Sequence, residues 1–224
     1  MLLNFEDIKN NEEILTYLKY TDNYFESIGY KEHGINHALF TAERASDVLR
    51  QLGYSARMQE LAKISGFLHD IGNLVGKLDH AQSGAVIAMH ILSKMDISEE
   101  RYNSDIFEIF GAIGSHEDKN MTPPTEIAAA VVLGDKTDVR YKRLRNEEKN
   151  FTDIHSKVIA ACNNTKLEVD KEGKEISLNI DIDTKICSIM EYFEIFTQRT
   201  IYCSKACSVL NCGFSLYING DRFL

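Results

Sequence analysis

The chain has 224 residues, 44% apolar and 26% charged, with a formal net charge of −9, which is the make-up of a soluble globular protein with one main domain and room for an appendage. The acidic balance argues against a dedicated binder of nucleic-acid polymers, which shows a basic face, but it leaves small phosphorylated ligands open, because a local Lys/Arg cluster can oppose the global sign. No run approaches the roughly 18 apolar residues of a membrane span, and the acidic opening "MLLNFEDIKN" lacks a signal pattern, so a cytoplasmic setting with no membrane partner is expected.

The only prolines are Pro123 and Pro124, so little interrupts helices on either side of them. "EEILTYLKYTDNYFESIG" carries apolar residues at helical spacing and stops at Gly29. "NHALFTAERASDVLRQLG" reads the same way and ends at Gly53, a well-placed C-cap. "ARMQELAKISGFLHD" predicts a third helix and "DHAQSGAVIAMHILSKM" a fourth, with Asp79 as candidate N-cap. Ser98 opens a fifth, "SEERYNSDIFEIFGAIGSHE", and "TEIAAAVVLGDKTDVRYK" is a sixth. The texture then changes. "LRNEEKN" reads as an exposed connection and Thr152 to Ala161 as a short helix. "TKLEVDKEGKEISLNIDID" alternates on both sides of a turn holding Gly173, a long helix follows from Thr184 to Leu210, and "GFSLYING" closes as a strand. The expected organisation is a mainly α domain over residues 1–148 and a β-β-α-β appendage over 149–224, its helix laid on a small antiparallel sheet.

All five cysteines (Cys162, Cys187, Cys203, Cys207, Cys212) fall in that last third. Their odd number in a chain of this composition favours reduced thiols, used as small buried apolar residues rather than as a metal site. Six of the seven histidines lie in the helical part. His37 precedes core-spaced Ala38, Leu39 and Ala42; His69 and Asp70 end an apolar helix; Asp135 ends the run "AAAVVLGD". Burying such residues is costly for each alone. A divalent cation balances His37, His69, Asp70 and Asp135 together, and imidazole with carboxylate suits Mn, Fe, Ni or Zn better than Ca. Adjacent His69 and Asp70 both reach one ion if the helix frays there, which Gly72 permits.

The ordered set of "HGINHALFTAERA", "LAKISGFLHDIGN" and "AAVVLGDKTDVR" resembles the HD-domain superfamily of metal-dependent phosphohydrolases over roughly residues 30–142. The resemblance implies an HD-type helical bundle, with His37, His69, Asp70 and Asp135 as metal ligands and His33 close behind them. A finer, partial resemblance is to the HD-GYP branch, which hydrolyses cyclic dinucleotides. "DHAQSGAVIA" and "GSHEDKNMTPP" would supply His80 and His116 to a second metal site, although the Gly-Tyr-Pro triplet is missing, Ser115 replaces a histidine and Asn73 stands for a lysine.

The expected activity is hydrolysis of a phosphomonoester or phosphodiester on a small, nucleotide-like substrate, by water activated on one or two divalent transition metals. Asp70 would orient that water or take its proton. Lys136 and Arg140, followed by Lys142 and Arg143, would share a helix face toward the phosphate, and Lys77 and His33 would join them in binding substrate. One alternative is a catalytically degenerate metal- or nucleotide-binding regulatory module, fed by Asn73 and by the appendage. Another is oxidative cleavage at a mixed-valent di-iron centre. A homodimer through an exposed edge strand of the appendage is the preferred macromolecular partner.

Overall fold

A computed structural model describes residues 3–28, 31–95, 99–144 and 153–224, and side chains within these except 99–103 and 142. The expected helix stop at Gly29, the helix start at Ser98 and most of "LRNEEKN" lie outside the described residues. The helical part comprises α1 (Phe5–Lys9), α2 (Glu12–Ser27), α3 (Ile35–Leu52), α4 (Ala56–Leu68), α5 (His80–Leu92), α6 (Glu99–Ser115) and α7 (Glu126–Lys136), with 3-10 turns at Ile71–Leu74 and Tyr141–Arg143. The short α1, capped by Asn4, has too few residues to show a period in the sequence. Asn11, Ser55 and Thr125 cap α2, α4 and α7 through their side chains, and Gly53 ends α3 with φ +85°. Asp79 does stand at the start of α5, but at φ +58° and without a side-chain cap bond.

The core is organised around α7, every residue of which from Ile127 to Lys136 is buried. Helix α3 lies against both α4 and α7, and the approach is close enough to require small residues. A Cβ at Gly66 would stand 2.9 Å from Ala42 Cα, and one at Gly134 would stand 2.7 Å from Thr41 O. This packing sets His37 of α3 between the C-terminal ends of α4 and α7, where His69 and Asp135 sit.

The C-terminal part is α8 (Ile154–Ala161), β1 (Cys162–Asp170), β2 (Glu175–Ile182), α9 (Ile189–Val209), β3 (Gly213–Ile218) and β4 (Asp221–Arg222). The sheet order is β1-β2-β3-β4, and it is mixed rather than antiparallel: β2 and β3 run parallel. Helix α9 is the crossover that a parallel pair needs. It begins at Ile189, later than its apolar pattern suggested, because Ser188 and Glu191 form a capping box. In the β1–β2 turn the left-handed residue is Lys174, at φ +51°, while Gly173 donates its N–H to Asp170 Oδ1 at 2.9 Å. Helix α9 packs against α7 as well as the sheet. Tyr202 Oη donates to Ser115 O at 2.6 Å, and Lys205 Nζ to Lys119 O at 2.9 Å. All five cysteines are buried and reduced, with burial pushing Cys162 and Cys203 thiols up to about 12.

Candidate metal centre

Helix α4 ends at Leu68, His69 keeps helical dihedrals, and Asp70 (φ −97°, ψ 4°) turns the chain into a 3-10 turn. That change lets two successive side chains face the same interior. Gly72 is required here by space rather than by a special conformation. A Cβ there would lie 2.0 Å from His80 O and 2.4 Å from Gly84 N, so its absence lets the start of α5 close over Asp70.

Six of the residues singled out in the sequence converge. His37 Nε2 lies 3.6 Å from Asp70 Oδ2 and 3.3 Å from Asp135 Oδ1. His69 Nε2 lies 3.3 Å and 3.8 Å from the same two oxygens. The other oxygen, Asp70 Oδ1, stands 3.3 Å from His80 Nε2 and 3.8 Å from His116 Nε2. Asn73 Nδ2 donates to it at 2.7 Å, so the residue standing where a lysine was expected holds the carboxylate in place. One carboxylate thus faces two imidazole pairs, one on each oxygen.

The imidazole tautomers follow from their partners. Nδ1 of His69, His80 and His116 lies 2.7 Å, 2.9 Å and 2.7 Å from the carbonyls of Gly66, Lys77 and Ile113. A carbonyl only accepts, so each Nδ1 carries the hydrogen. His37 Nδ1 donates to Asp138 Oδ2 at 2.8 Å. In each neutral ring Nε2 then presents a lone pair to the centre. Nε2 of both His37 and His69 is buried without a hydrogen-bond partner, and Nε2 of His80 and His116 lie only 3.1 Å apart. Two lone pairs face each other at that distance only with a cation between or beside them, whether a metal ion or a proton.

The residues present fit a metal. Ligand atoms about 2.0–2.2 Å from one ion stand roughly 3–3.5 Å apart at right or tetrahedral angles, close to several of the spacings seen, and the groups His37-His69-Asp70, His69-His116-Asp135 and Asp70-His80-His116 each bring their ligand atoms within 4.8 Å of one another. Electrostatics agree. Burial opposes ionisation of Asp70, but His69 and His80 outweigh it and hold its carboxyl well below the usual range. Burial likewise disfavours protonated His80, yet Asp70 raises its pKa, while burial and neighbouring His69 push His116 down to about 3. In the absence of metal, Asp70 thus favours the protonated form of His80, and it does the same for His69 against the opposing effect of burial.

Around the centre, Lys136 is buried and bonded to Asp135 Oδ2 at 2.6 Å and Glu117 Oε1 at 2.5 Å. Because α7 ends at Lys136, Arg140 does not share a helix face with it, as had been expected. Arg140 instead bonds Asp138 through Nε at 2.6 Å and Nη2 at 3.0 Å, and stacks on Phe40. A pocket of about 60 Å³ opens on the centre, lined by Phe25, Lys31, His33, Asp70, Asn73, Lys77, His80, Glu117, Asp135, Arg143 and Arg199. The expected His33 and Lys77 are among them; Lys136 and Arg140 are not. His33 Nδ1 donates to Lys31 O at 2.8 Å, and burial lowers its pKa. Its Nε2 is thus an acceptor, the wrong polarity for a phosphoryl oxygen.

Sequence reading passed over Asp138, Lys31, Glu117 and Arg199. Asp138 had a visible signal, a second carboxylate one turn beyond Asp135, whereas Arg199 reaches the pocket only through the packing of α9. A roomier cavity of 680 Å³, lined by residues such as Glu12, Asp22 and Glu32, contains no histidine or cysteine among its lining.

The HD domain family model matches residues 34–162, a span holding every ligand described above. The chain therefore belongs to the HD-domain family, a class of metal-dependent hydrolases. Among relatives, it is 27% identical over 197 residues to Uncharacterized protein MJ1020 of Methanocaldococcus jannaschii, covering 80% of this chain and 74% of that one. A solved structure of a predicted HD superfamily hydrolase from an uncultured Thermotogales bacterium is 26% identical, covers 57% of this chain and 67% of its own, and superposes with a TM-score of 0.44.

Proposed function

We propose that the protein is a phosphohydrolase that holds two divalent transition-metal ions side by side and cleaves a phosphate ester of a small, nucleotide-like substrate. The observation that carries this reading is the posture of Asp70, with one oxygen toward His37 and His69 and the other toward His80 and His116. When bound, such ions supply Lewis acidity toward a phosphoryl oxygen and make water acidic enough to be a nucleophile near neutral pH.

The chain's own residues place and neutralise. Asp138 fixes His37 by its Nδ1, and Arg140 and Arg143 hold Asp138 in turn. Lys136 clamps Asp135 to Glu117. In this reading Lys136 and Arg140 are positioning residues rather than contacts to substrate. Asp70 is too acidic to store a proton at neutral pH, so it orients water as an acceptor. In the net reaction a water oxygen bonds to phosphorus, the ester P–O bond breaks with its electron pair on the leaving oxygen, and a proton from water ends on that oxygen.

The test is elemental analysis of protein purified without a histidine tag, beside His69→Ala and Asp70→Ala, followed by a phosphatase screen of the loaded protein. About two equivalents of transition metal, lost in Asp70→Ala, with turnover of a phosphate ester, supports the reading. No metal after reconstitution with Mn, Fe, Ni and Zn overturns it. Metal without turnover points to the regulatory module instead.

A further inference from the structure

We infer that Arg199 of α9, with Lys31, forms an anion subsite for the terminal phosphoryl group of a phosphomonoester, so that the C-terminal unit completes the active site. This deepens the hydrolase reading and rests on it for the chemistry, though not for the binding. Four basic residues line the pocket over the centre: Lys31, Lys77, Arg143 and Arg199. Arg143 is spent on the protein itself, with Nε and Nη2 on Glu32 O at 3.2 Å and 3.0 Å and Nη1 on Asp138 O at 3.3 Å.

Arg199 is different. Its guanidinium lies over the Phe196 ring, and Nη1 is buried with no hydrogen-bond partner among the described residues. Lys31 Nζ likewise has no hydrogen bond or ion pair among them, and burial lowers its pKa, with repulsion from Arg199 and Arg143 adding to the effect. Proteins pair buried cationic donors because leaving them unpaired is costly. The buried Arg199 nitrogen, with the half-buried Lys31 beside it in the pocket, marks the place of an anion that arrives with the substrate.

The size of the pocket selects the anion. About 60 Å³ holds roughly four water-sized groups, at about 10–15 Å³ of such volume for each. A terminal phosphoryl group fits that room, with its organic part left outside. A diester phosphorus carries an organic group on two sides and does not fit. The charge agrees, since a dianionic monoester matches a planar guanidinium and an ammonium better than a monoanionic diester does.

The experiment measures inorganic phosphate binding by calorimetry, on metal-loaded and metal-free protein, for wild type, Arg199→Gln, Arg199→Lys and Lys31→Gln. Metal content and melting temperature are recorded for each. The expected result is phosphate binding at least tenfold weaker in Arg199→Gln and Lys31→Gln, partly recovered in Arg199→Lys, with metal content unchanged. In turnover, Arg199→Gln raises KM for p-nitrophenyl phosphate, and Arg199→Lys recovers part of the loss. Unchanged phosphate affinity in folded Arg199→Gln and Lys31→Gln overturns the inference while leaving the hydrolase reading intact. A wild type without metal or turnover that still binds phosphate through Arg199 overturns the hydrolase reading and keeps the subsite. If Arg199→Gln does not fold, Lys31→Gln decides by the same criterion.

Discussion

Between Ile35 and Asp138 the helices bury His37, His69, Asp70, His116, Asp135, Lys136 and Asp138, whereas between Ile154 and Ile218 the interior is built from residues such as Ile176, Leu178, Phe196 and Leu216 and from all five cysteines. Both halves thus enclose potential metal ligands. In the first half they point at one another across a small space, and their outward nitrogens are tied to carbonyls or to Asp138. In the second the thiols are pushed up by burial, and no cysteine enters a metal-type grouping among the described residues. Ligand chemistry alone does not make a site: convergence and a forced tautomer do.

The sharpest way to break this contrast is Asp70→Ala. That carboxylate serves both imidazole pairs, so both ions should leave together and turnover should fall by more than about 10²-fold, beyond the 10–100-fold typical of outer partners. His80→Ala should cost only one ion. Equal metal content in the two variants, read by elemental analysis, would show that Asp70 does not bridge. Next comes Asp138→Asn, which keeps the shape but weakens the grip on His37 Nδ1. Metal affinity should drop about 10–100-fold, measured by competition with a chelating dye, and no drop would remove Asp138 from the centre.

Much of the centre was legible because its ligands sit at helix ends after apolar runs, where nothing but a partner explains them. His69, Asp70 and Asp135 are of this kind, His37 instead leads a run of core-spaced residues at the start of α3, and the helical bundle followed from the same periodicity. What was not legible depends on where chains end and pack. The helix after Asp135 was read on through Lys142, yet α7 stops at Lys136, which turns Arg140 back onto Asp138. The mixed sheet was missed because alternation within a strand does not reveal its neighbour's direction. Arg199 sits in a long amphipathic helix where a lone arginine reads as surface; only the contact of α9 with α7 brings it to the pocket.

The pH dependence of metal binding sharpens the role of the His80–His116 pair. In the metal-free protein burial opposes protonation of His80, but Asp70 prevails and raises its pKa. An ion bound by His80 competes with a proton for Nε2. Affinity should therefore fall as pH drops below the raised pKa, by roughly tenfold per pH unit for each displaced proton, and level off above it. A calorimetric series in buffers of different ionisation enthalpy counts the protons released; none released would mean that His80 is not a ligand. Gly72→Ala acts on the same pair through packing. With His80 O only 2.0 Å from the new Cβ, α5 must move. Overpacking of this sort costs about 1–3 kcal/mol, so both the melting temperature and the occupancy of the His80–His116 side should fall, with the His37–His69 side less affected.

The smallest effect belongs to the other half. Cys203 is fully enclosed on α9, next to the helix α7 that carries Asp135, and is the cysteine nearest in setting to the centre. If it is only packing, Cys203→Ala removes one sulfur and leaves a small void, worth about 1 kcal/mol, or a melting shift of roughly 2–4 °C for a chain this size. Metal content should not change. A loss of metal in Cys203→Ala at that small thermal shift would join the two halves into one coordination system, and the contrast between buried thiols and buried imidazoles would have to be abandoned.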